Sequence, residues 1–274
     1  MLGAIIGDMV GSTYEFDPIK SKDFNIFNKK MTMTDDSLLT LAVAKVFYKH
    51  YPINYSEREI QLIKNDLIDE FKKAVKTHPK ISWGNMFYSW ATTSSNRPYN
   101  SFGNGAAMRI SPVGWIANNE NEVKKLSKIV TEITHNHPEG IKGAESIAMC
   151  IYLARKGKNK EYIKKYVEKH YYPIINNLNF DKLISEYDFD ETCQGSCPQA
   201  IYCFLISNDV ESAIRNCIVI GGDCDTTATM AGAIAEAYYS KDKYSSFEIE
   251  FMDKMIEKNI QNFIKSFKMK LTAL

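Results

Sequence analysis

Gly221-Gly222-Asp223-Cys224-Asp225-Thr226-Thr227-Ala228-Thr229-Met230-Ala231-Gly232-Ala233-Ile234-Ala235-Glu236-Ala237-Tyr238-Tyr239 is a cluster of Thr and Asp that runs straight into an apolar helix. Nearly two hundred residues earlier, Thr34-Asp35-Asp36-Ser37 does the same into Leu38-Leu39-Thr40-Leu41-Ala42-Val43-Ala44. Both helices are too apolar to lie on a surface, so each should sit in a helical core. Working outward, the dominant period is again helical. Ile60, Ile63, Leu67, Phe71 and Val75 step by three and four, as do Val123, Leu126, Val130 and Ile133, and Ala144, Ile147, Ile151 and Ala154. Ala200, Phe204 and Ser207 mark a shorter helix with Pro198 near its first turn, and Asn208-Asp209-Val210-Glu211 reads as a capping start. Met252, Met255, Ile256, Ile260, Phe263 and Phe267 predict one more amphipathic helix. Cys217-Ile218-Val219-Ile220 is the one plausible buried strand. The expectation is an all-α, compact single-domain helical bundle over residues 1–274.

Composition agrees with a folded domain: 274 residues, 45% hydrophobic and 24% charged. Lys+Arg of 34 against Asp+Glu of 33 leaves a net charge of +1, so no global field points to nucleic acid or an anionic membrane. No apolar stretch approaches the ~18 residues of a membrane span. Six cysteines in so long a chain are not a disulfide framework, which makes a reducing cytoplasm the expected location. The Cys193-to-Cys197 pair lacks a second pair at zinc spacing and reads as structural.

One Asp at each helix start would serve as a cap beside a positive dipole. Taken together, Asp35, Asp36, Asp223 and Asp225 are more carboxylate than capping needs. If the two starts converge, the crowded charge is unfavourable unless protons or cations neutralise it. An all-oxygen set of Asp and Thr suits two Mg²⁺ or Mn²⁺ ions rather than zinc. Glu15 lies in the loop that precedes the first of them, after glycines at 3, 7 and 11 whose four-residue spacing allows close helix approach. Ser101-Phe102-Gly103-Asn104-Gly105-Ala106-Ala107-Met108-Arg109 could expose backbone N–H groups to a phosphate, or be a tight turn. Two non-periodic segments, Thr13 to Thr32 and the aromatic-rich Thr77 to Gly105, are long enough to be functional.

In order along the chain, Gly7-Asp8-x2-Gly11-Ser12 with Glu15, Thr34-Asp35-Asp36, Phe102-Gly103-Asn104-Gly105-x2-Met108-Arg109, Thr134-His135 and Gly221-Gly222-Asp223-x-Asp225-Thr226 resemble the ADP-ribosylglycohydrolase family. The likeness spans residues 3 to about 240. It implies that Thr34, Asp35, Asp36, Asp223, Asp225 and Thr226 ligate two Mg²⁺ or Mn²⁺ ions, with Glu15 beside or among the ligands. It further implies that Phe102, Gly103, Asn104, Gly105, Met108 and Arg109 bind the ADP-ribose diphosphate and distal ribose, and that His135 lines the cleft. Ser37 stands where many members carry Thr, which keeps a hydroxyl.

The implied reaction is hydrolysis between the distal ribose and a side-chain N or O of an ADP-ribosylated protein or small molecule, releasing ADP-ribose. Glu15, Asp35 and Asp225 are the implied catalytic carboxylates. Two other readings compete, a non-catalytic ADP-ribose binder or structural relative, and a metal-dependent phosphohydrolase cutting the diphosphate. The acceptor would be set by the loops Thr13–Thr32 and Thr77–Ser101.

Overall fold

The computed structural model describes residues 1–272; the last two residues of the expected domain lie outside it. Its helices run in order α1 (Leu2–Gly11), α2 (Asp35–His50), α3 (Glu57–Thr77), α4 (Asn85–Thr92), α5 (Gly105–Met108), α6 (Ser111–Ile116), α7 (Glu120–Thr131) and α8 (Pro138–Arg155). They continue as α9 (Lys160–His170), α10 (Phe180–Glu186), α11 (Cys193–Leu205), α12 (Val210–Ile220), α13 (Cys224–Tyr239), α14 (Ser246–Met255) and α15 (Lys258–Thr272), with a 3₁₀ turn at Pro173–Asn176. Among the described residues the only β-type pairing is one isolated bridge, Gly103 with Thr192.

Two helices form the axis. Every residue of α1 is buried, and so is α13 from Cys224 through Ala237. They lie antiparallel with their backbones touching. A Cβ added at Gly3 would stand 2.2 Å from the Gly232 carbonyl oxygen, one at Gly7 2.2 Å from the Ala228 oxygen, and one at Gly11 2.1 Å from the Asp225 Cα. The four-residue glycine spacing puts all three on one stripe of α1, so no side chain holds the helices apart. Since Gly11 meets Asp225, this contact also delivers the end of α1 to the start of α13.

The surrounding helices are amphipathic and capped as their sequences dictate. In α3, Ile63, Leu67, Phe71 and Val75 are buried, and the Ser56 side chain accepts from the Glu59 N–H. Asp209 and Ser212 form a reciprocal capping box at the start of α12. Its end is turned by Gly221 and Gly222, with φ of 81° and 68°, a region open to glycine.

Four expectations give way here. Cys217 to Ile220 is not a strand but the last turn of α12, where a helix buried on all sides loses its amphipathic period and a β-branched run imitates a strand. The single C-terminal helix is two, broken at Ile256, where Gln261 Nε2 donates to the Met252 and Ile256 carbonyls at 2.7 Å each. The segment Thr77 to Gly105 contains α4, which buries Phe87 and Trp90. Pro198 lies inside α11, which starts earlier than expected at Cys193, with Thr192 as its cap, and Ser207 falls past its end.

Candidate metal and substrate site

Asp8 occupies the last part of α1 and is fully buried. Its Oδ2 accepts from the Thr34 N–H at 2.9 Å and the Ser37 N–H at 3.1 Å, and its Oδ1 accepts from the Thr34 hydroxyl at 2.6 Å. A carboxylate on one helix thereby serves the unpaired N–H groups at the start of another. Asp36 follows in the first turn of α2. Its Oδ2 accepts from the Thr226 hydroxyl at 3.3 Å, while its Oδ1 is buried without a hydrogen-bond partner. Asp225 stands in the first turn of α13, and Asp223 just before it accepts from Asn104 Nδ2 at 2.6 Å.

The two Thr/Asp helix starts therefore converge, with α1 as a third contributor. One oxygen each from Asp8, Asp36 and Asp225 lie within 4.8 Å of one another, and so do oxygens from Glu15, Asp223 and Asp225. Asp225 belongs to both groups. Asp35 stands beside them, half-buried, rather than in either group. None of the ion pairs among the described residues involves these six carboxylates.

Uncompensated crowding shows in the proton affinities. Burial pushes Glu15 up to about 7, helped by Asp223, Glu191 and Asp8. Burial, then the charges of Asp8 and Asp223, bring Asp35 to about 7 as well. Asp36 is raised well above the carboxylate range by burial and by Asp8, Asp35 and Asp223. Asp225 is raised likewise by burial and by Asp223, Asp36 and Glu15. Burial also raises Asp8, against the hydrogen bonds from Thr34 and Ser37 that lower it. An all-oxygen, multiply acidic pocket of this kind suits hard divalent cations, and the buried Asp36 Oδ1, which no hydrogen bond occupies, is a donor for one.

The glycine loop borders this pocket. The Asn104 N–H donates to the Glu191 carbonyl at 2.7 Å, and the Cys193 N–H to the Phe102 carbonyl at 2.9 Å, which ties the loop to the start of α11. The Cys193 thiol donates to the Gly103 carbonyl at 3.2 Å, a structural role for that cysteine. Phe102 is exposed, its ring tilted against His137. His135 is buried behind the loop. The Cβ positions of Gly105 and Gly103 would lie 3.4 and 3.7 Å from its Nε2. Burial holds this imidazole well below its ordinary pKa, and the Arg109 charge lowers it further.

Met108 and Arg109 depart from the diphosphate role implied above. Met108 is buried, and Arg109 is fully buried, with its guanidinium 4.6 Å from the Phe71 ring centre. Their side chains turn into the core because α5 is a single turn with its apolar face inward. On the outer rim, Phe16 is 80% exposed and stacks on Phe189 at 6.5 Å between ring centres.

Asp8 is the site residue that sequence reasoning left without a role. Its signal was present: it is the one charged residue in an otherwise apolar, glycine-striped helix. The Asn104 contact to Asp223 left no such trace, because it joins positions 119 residues apart.

The profile of the ADP-ribosylglycohydrolase family matches residues 1–244. ADP-ribosylhydrolase ARH3 of Mus musculus is 24% identical over 89% of this chain and 83% of its own length. ADP-ribosyl-[dinitrogen reductase] glycohydrolase of Rhodospirillum rubrum is 22% identical over 95% of this chain and 91% of its own. Among solved structures, an ADP-ribosylglycohydrolase-related protein complex superposes with a TM-score of 0.72 at 18% identity, covering 98% of this chain and 95% of that one.

Proposed function

The chain belongs to the ADP-ribosylglycohydrolase family, a hydrolase of glycosyl bonds, and from that premise we propose that it uses two divalent cations to cleave ADP-ribose from an acceptor. The substrate is an ADP-ribosylated protein side chain or a small-molecule conjugate, and ADP-ribose is the product. We take residues 1–274 as one domain doing this work, in a reducing cytoplasm that keeps its six thiols free. No helix among the described residues is long and apolar enough to cross a membrane.

The observation that carries the reading is the doubled acid pocket with Asp225 common to both halves. Asp8, Asp36 and Asp225 would hold one Mg²⁺ or Mn²⁺, and Glu15, Asp223 and Asp225 the other, with Thr34, Asp35 and Thr226 flanking them. When bound, such ions orient the ribose hydroxyls and make water a better nucleophile near neutrality. The remaining chemistry belongs to the side chains. Water attacks C1 of the distal ribose as positive charge develops on the sugar, and the acceptor leaves with the bonding electron pair and takes up the proton that the water gives up. Glu15, half-buried on the loop after α1 and ionised beside a bound cation, is placed to take the proton from that water. Phe102 and the Gly103–Gly105 turn present an exposed ring and backbone to the nucleotide, and Asn104 holds Asp223 in place.

Product analysis tests this reading. Incubation of ADP-ribosylated peptides with the protein and Mg²⁺ or Mn²⁺ should release free ADP-ribose, with chelator abolishing release. AMP among the products would instead identify a phosphohydrolase, and binding of ADP-ribose without any product would identify a non-catalytic relative.

A further inference from the structure

A fully buried arginine is costly, and Arg109 is served sparsely. Its Nε and Nη1 have no hydrogen-bond partner, and the rings of Phe71 and Phe87 lie 4.6 and 5.8 Å from the guanidinium carbon. An apolar side chain of similar length would fill the space without stranding donors. What Arg109 does reach is specific. Its Nη2 donates to the Thr134 hydroxyl at 2.5 Å and stands 3.4 Å from His135 Nδ1.

These contacts fix where the imidazole proton can be. A guanidinium only donates, so a proton on Nδ1 would face another donor and a positive charge. The Thr134 oxygen accepts from Arg109, and its own hydrogen has Nδ1 at 2.9 Å, against 3.5 Å to the Thr131 carbonyl. Two donors therefore converge on Nδ1. The other nitrogen, Nε2, has no hydrogen-bond partner among the described residues and faces Gly103 and Gly105. We infer that Arg109 is a positioning residue: it holds His135 as the tautomer protonated on Nε2, whose N–H donates across the glycine turn to an oxygen of bound ADP-ribose. Only the identity of that ligand rests on the glycohydrolase reading. Arg109 thus serves the substrate through His135 rather than by touching the diphosphate.

The tautomer is read directly by long-range ¹H–¹⁵N correlation spectra of the ¹⁵N-labelled full chain, without substrate. His135 should show a protonated Nε2 and a bare Nδ1 at neutral pH; a protonated Nδ1 overturns the proposal. Arg109→Met should allow mixed tautomers, and Arg109→Lys, which keeps a donor, should preserve the native one. In calorimetry, Arg109→Met should weaken ADP-ribose about tenfold, the size of one charge-assisted hydrogen bond. His135→Gln supplies an amide donor where Nε2 stands, with no tautomer to hold, so adding Arg109→Met to it should change affinity less than twofold. Equal losses in both backgrounds would make Arg109 merely structural. If wild type binds no ADP-ribose, the glycohydrolase reading fails while the spectrum still decides the tautomer. Should Arg109→Met not fold, the wild-type and Arg109→Lys spectra decide alone.

Discussion

The two halves of the acid pocket use the same functional group on different mounts. Asp8, Asp36 and Asp225 sit on three helix ends and are buried, whereas Glu15 lies half-exposed on the loop after α1. The inner carboxylates also act in the scaffold: Asp8 satisfies the start of α2, and Asp36 takes the Thr226 hydroxyl. Glu15 makes no such bond. Its surroundings are the charges of Asp223, Glu191 and Asp8 and, next in sequence, the exposed Phe16. Removing an inner carboxylate should therefore break hydrogen bonds of the scaffold along with the chemistry, whereas removing the Glu15 carboxylate breaks none.

The largest effect that would break this contrast is at the shared residue. Asp225→Ala should abolish ADP-ribose release, by at least ~10³-fold, and remove metal binding from both halves in calorimetry. Circular dichroism should still show a helical protein, and full activity would refute the shared-ligand role. Gly7→Ala changes no ligand, yet its Cβ would lie 2.2 Å from the Ala228 oxygen. Prising α1 from α13 should cost about 1–3 kcal/mol or more and carry Asp8 away from Asp225, so stability and metal affinity fall together. A Gly7→Ala protein with native melting and native metal affinity would show that the inner half does not depend on that contact. Glu15→Gln should slow turnover about 10²-fold or more without lowering the melting temperature, and unchanged turnover would assign the base elsewhere.

A pH titration sharpens the same contrast. Glu15 and Asp35 are both raised to about 7, so the folded, metal-free protein holds protons that the unfolded chain releases near pH 4. Stability should therefore be fullest at and below about pH 4 as far as these groups go, and fall as pH rises toward about 7. Divalent cation should reverse the trend, since it favours the ionised carboxylates. A metal-free melting temperature that climbs between those values would contradict the crowding. The smallest effect belongs to the rim, where Phe16→Ala should alter stability by no more than about 0.5 kcal/mol.

Much of this was legible beforehand, and the reasons are local. The Thr34–Ser37 and Gly221–Thr227 helix starts each hold acids beyond what a cap uses, and the fold brings the two together. The ADP-ribosylglycohydrolase resemblance, carried by five ordered motifs, agrees with the family match over residues 1–244. Errors fell where periodicity loses its meaning. Full burial erased the amphipathic pattern in Ile218 to Ile220, and apolar spacing ran on across the break at Ile256 that Gln261 stitches. Arg109 was read by its charge and by the family resemblance, but direction is a tertiary property, and α5 turns that charge beneath the loop. Asp8 carried its clue in plain view. Its role appeared only when the partners 26 and 29 residues away were known.

The glycine stripe that joins α1 to α13 also sets an order of events during synthesis. Helix α1 has no exposed residue in the finished protein, and its mate is made more than two hundred residues after it. Until then ten buried positions must be sheltered by transient contacts or a chaperone. Nascent chains stopped short of Cys224 should aggregate and retain no divalent cation, however well their middle helices have formed.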